Sequence, residues 1–79
     1  MNMENIKFES TESFAVLVNK AAETMQNNLD LEQVSIEGTD QVLVKSGTNT
    51  EQEFYKNPDL IINPQKIHGI DYIVVIPQN

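Results

Sequence analysis

Cysteine, arginine and tryptophan are missing from these 79 residues, and glycine and proline supply only three each. Without thiols the chain has neither a disulfide framework nor a thiolate metal site. Size makes that matter, because a domain this short buries only about 60% of the surface its unfolded chain exposes. Packing or a partner must hold it together. The lack of arginine removes the planar fork that clamps phosphates and reads base edges. Five lysines against twelve acids leave a formal charge of -7. Direct nucleic-acid binding needs clustered cations and is not expected.

Long apolar runs are also absent. The longest, such as Tyr72-Ile73-Val74-Val75-Ile76, reach only five residues, far short of a membrane span or the core of an export signal. Met1-Asn2-Met3-Glu4-Asn5 carries an acid where an export signal carries bases. The expectation is a cytoplasmic protein with no membrane association. Abundant Asn, Gln, Ile and Lys without Arg is the usage of an A/T-rich coding sequence, as in many low-G+C bacteria and their phages and plasmids.

What is present is organised around residues 71–77. Five consecutive apolar residues rich in β-branched side chains, ended by Pro77, read as a strand. Alternation puts Tyr72, Val74 and Ile76 on one face and Ile73 and Val75 on the other, so both faces need cover and the strand belongs inside a sheet.

Upstream, Ile6-Lys7-Phe8-Glu9 alternates and is expected as an edge strand. Ser10 is the expected N-cap of a helix, with Glu12 in its first turn. At 100° per residue, Phe14, Leu17, Val18, Ala21, Ala22, Met25 and Leu29 gather on one side, with Lys20, Glu23 and Asn27 opposite. Asn27-Asn28 is the expected stop. Val16 alone breaks the pattern, as a surface apolar residue or a contact point.

Val34 to Glu37 and Gln41 to Lys45 flank Gly38-Thr39-Asp40 and predict a hairpin. Val34 and Ile36 share one face; Val42 and Val44 share another, with Leu43 opposite. Thr48 with Glu51 fits a capping box for a helix of at most two turns over residues 49–56, anchored by Phe54 and Tyr55. Asn57-Pro58 ends it. Leu60-Ile61-Ile62, between Pro58 and Pro64, suits an edge strand.

No chemistry-bearing constellation emerges. His68, beside Gly69, has no signalled nucleophile, carboxylate or metal companion, and reads as a turn residue with a local hydrogen bond. Glu51, Glu53 and Asp59 cluster around Tyr55, but acid and base work needs carboxylates in a cleft; a solvated face is the simpler reading. Glu37-Gly38-Thr39-Asp40 lacks the ligand alternation of a calcium loop, and Ser46-Gly47-Thr48 lacks the glycines and lysine of a P-loop.

Val44-Lys45-Ser46-Gly47, Asn57-Pro58, Pro64-Gln65-Lys66-Ile67 and Ile76-Pro77 give residues 42–77 a resemblance to LysM glycan-binding modules. That resemblance implies glycan binding and two helices between the motifs. The chain departs from the pattern: it lacks the glycine before Gln65, places Ile76-Pro77 late, and leaves no room for two helices after Gly47. No site residue is carried across.

The expectation is therefore one α+β domain over residues 1–79, with a mixed sheet of four to five strands and one long helix on one face, in the order β-α-β-β-short α or turn-β-β. One helix covers only one face. The Ile73 and Val75 face must be covered by the short helix, a second copy or another protein. The functional expectation is a non-enzymatic, acidic protein-binding module without cofactor or metal, such as a phage or plasmid product that inhibits a host nucleic-acid-handling protein. Its partner would be a protein with a basic surface. The alternative is a self-assembling structural subunit whose partner is itself. Val16, Glu51, Glu53, Tyr55, Asp59, Ile73 and Val75 are the candidate interface residues.

Overall fold

Residues 1–37 contain neither glycine nor proline, so neither of the strong helix breakers stands ahead of the expected stop at Asn27-Asn28. In the structure, a computed structural model that describes the backbone of residues 2–78 and the side chains of residues 14–78, the first element is helix α1 (Asn2–Asn27). Its bounds take in residues 6–9, so the expected first strand is replaced by helix and Ser10 is not its cap. Four alternating residues are too short a signal against an unbroken helical stretch. The side chains of residues 6–9, Ser10 and Glu12 lie outside the described residues.

The remaining elements are β1 (Gln33–Ser35), β2 (Val42–Lys45), α2 (Asn49–Tyr55), β3 (Leu60–Ile67) and β4 (Ile70–Pro77). The four strands form one sheet in the order β1-β2-β4-β3. The fold is α+β as expected, but the sheet is antiparallel throughout rather than mixed. Topology explains this. The crossing from β2 through α2 to β3 leaves those two strands parallel but one strand apart, and β4 returns from a tight hairpin to fill the gap.

Backbone hydrogen bonds fix the alternation across the sheet. Gln78 N–H donates to Asp59 O at 3.0 Å, and Ser46 N–H to Asp71 O at 3.1 Å. Antiparallel partners alternate between bonded and outward-pointing pairs. Even-numbered residues of β4 therefore bond β3, and odd-numbered ones bond β2. With both ladders occupied, β4 is the interior strand expected for residues 71–77.

Each sheet face has its own core. On the first, Ala21, Ala22 and Met25 of α1 pack with Ile36, Leu43, Tyr72 and Val74, and Phe14, Leu17, Val18, Leu31, Val34, Ile67 and Ile76 are partly buried around them. This is the expected helix face with one correction: Leu29 is 82% exposed. It lies past the end of α1, and Leu31 turns in instead. On the second face Val44, Ile73 and Val75 are buried, with Val42, Phe54, Leu60 and Ile62 packed against them. Helix α2, through Phe54, thus packs over the second face, with Leu60 and Ile62 of β3 as its neighbours within the sheet. Phe54 is its anchor; Tyr55, expected to share that role, is 55% exposed, because one turn of helix cannot aim both adjacent side chains at the sheet.

Between β2 and β3 the chain forms a single seven-residue helix, not the two that the resemblance to LysM modules implies. No helix among the described residues is long and apolar enough to cross a membrane.

Candidate functional site

β3 runs five residues further than its apolar triplet, straight through Pro64. The register explains why. Odd-numbered residues of β3 bond β4, so Pro64, opposite Ile73, directs its missing N–H away from the ladder and costs it nothing. The strand ends at a two-residue loop with His68 at φ 54° and Gly69 at φ 78°. Positive φ at both central positions is the hairpin geometry that matches strand twist, and histidine tolerates it better than a β-branched residue.

A groove of about 470 Å³ opens between α1 and the β3 side of the first sheet face. Phe14, Val18, Val74 and Ile76 supply its apolar surface. Four carboxamides, Asn19, Gln41, Asn63 and Gln65, frame that surface, and Lys66 and His68 stand at the hairpin end. None of the described lining residues carries a carboxylate, although the chain has twelve acids. Gln41 Oε1 is buried without a hydrogen-bond partner, an acceptor that the fold leaves unsatisfied. On this side α1 packs over β1, β2 and β4; Ile67 of β3 joins that core, whereas Ile61 on the same face is exposed.

His68 is tied to α1 rather than to a nucleophile or metal companion. The Gln26 side chain lies 3.3 Å from His68 Nδ1, and its Nε2 donates to Tyr72 Oη at 3.4 Å. Both are at the long end of hydrogen bonding. They join the helix to the hairpin turn. Among the described residues no three His, Asp or Glu side chains converge as metal ligands.

The candidate interface residues separate into three places. Val16 is 56% exposed on α1, on the opposite side of the sheet from α2. Glu53, Tyr55 and Asp59 are exposed on α2 and the turn after it; Glu51 is half-buried beside them and accepts from Gly47 N–H at 2.7 Å, which closes the end of the helix. Ile73 and Val75 are 1% and 3% exposed. They belong to the chain's own second core, so as an interface they are corrected: Phe54, Leu60 and Ile62 already occupy that face. The seven residues do not form one surface.

Charge is unevenly matched. Lys20, Lys56 and Lys66 lie within 3.9 Å of Glu37, Glu53 and Asp71 respectively, and Lys45 donates to Leu29 O. No described lysine pairs with Glu23, Asp30, Asp40 or Asp59. The groove lining was not legible as a site from sequence, since Phe14 and Val18 fit a core stripe and isolated amides carry no motif. The one available signal was Ile61, Asn63, Gln65 and Ile67 recurring at every second position around a proline.

No family description, curated protein or solved structure matches this chain.

Proposed function

We propose that this chain is a non-enzymatic protein-binding module for a partner with a basic surface, of the kind a phage or plasmid product uses to occupy a host nucleic-acid-handling protein. The observation that carries the reading is the surplus of exposed carboxylates left over once the described lysines have found their neighbours. Surface ion pairs are worth little individually, but a field of one sign steers an oppositely charged partner and raises its association rate.

Self-assembly loses its motive, because α2 and Phe54 cover the face that called for a second copy. The test is capture of partners from a bacterial lysate by the immobilised chain at low ionic strength, repeated near 1 M salt, where screening shrinks to about 3 Å. A captured nucleic-acid-handling protein that duplex DNA displaces supports the proposal. No basic protein at low salt, or capture indifferent to salt and to the charge reversals Glu53→Lys and Asp59→Lys, would sink it.

A further inference from the structure

We draw no further inference here: the strongest candidate, the groove between α1 and the β3 side of the first sheet face together with the open β3 edge beside it, carries nothing because nothing in the structure shows what covers it.

Discussion

Pro64 stands opposite Ile73 in the β3–β4 ladder, at a pair whose main-chain groups point away from each other. A single residue thereby satisfies two demands. The strand continues to the hairpin, and the longest open edge of the sheet is interrupted at its centre. Proline at an edge is a recognised defence against edge-to-edge association.

Restoring the N–H with Pro64→Thr should leave stability within about 1 kcal/mol, because no ladder bond changes. Light scattering should show association rising with concentration. Moving the proline one residue has the opposite effect. Gln65 faces Tyr72 at a bonded pair, so Gln65→Pro should cost about 1–3 kcal/mol in urea denaturation.

The second core predicts an asymmetry between adjacent aromatics. Phe54→Ala should destabilise by about 2–3 kcal/mol, less than a fully buried phenylalanine because Phe54 is only half-buried. Tyr55→Ala should change stability by less than about 0.5 kcal/mol. Parallel denaturation curves test the pair, and equal losses would show that α2 does not seat on Phe54.

At the β3–β4 turn the cost of substitution is conformational. Nothing lies within 4 Å of a Cβ built on Gly69, so Gly69→Ala meets no clash but must hold a left-handed φ, at about 1–2 kcal/mol. His68→Gly should be close to neutral, and His68→Val should lower the thermal midpoint.

Thr48 accepts from Glu51 N–H through its hydroxyl at 3.2 Å and donates that hydroxyl to Lys45 O at 2.8 Å. Thr48→Ala should cost about 1 kcal/mol, and Thr48→Asp, which keeps a cap acceptor, should recover part of it. Since α2 covers the second core, helical content and thermal midpoint should fall together.

Local pattern carried much of the fold. The amphipathic stripe from Phe14 to Met25, the hairpin around Gly38, the Thr48 cap and the two-sided strand at residues 72–76 were all readable, because each depends on neighbours within one or two turns or on strict alternation. The misreadings have particular physical causes. Residues 6–9 alternate as a strand does, but a helix already propagating through them adds one bond per residue and needs no new nucleus. β3 looked finished at Ile62 because Pro64 breaks a strand unless its N–H faces outward, and that orientation depends on the register with β4. Leu29 fits the helical wheel, yet the helix has ended before it.

The groove was less legible than any element. Its apolar residues come from α1, β3 and β4, and its amides from α1, β3 and the residue before β2, so no window of sequence contains it. Ile73 and Val75 were correctly read as needing cover, but whether that cover is internal depends on where the crossing from β2 to β3 carries Phe54.

By itself the sequence determined that this is a small acidic α+β domain, without thiols or an arginine-based anion site, built on an interior strand whose alternation demands two cores. Those are consequences of composition and period. Tertiary structure alone decided that α2 packs on the second core, that Pro64 faces outward, and that Ile67 rather than Ile61 of β3 joins the first core. Each depends on how distant segments pair and cross, which local side-chain spacing does not encode.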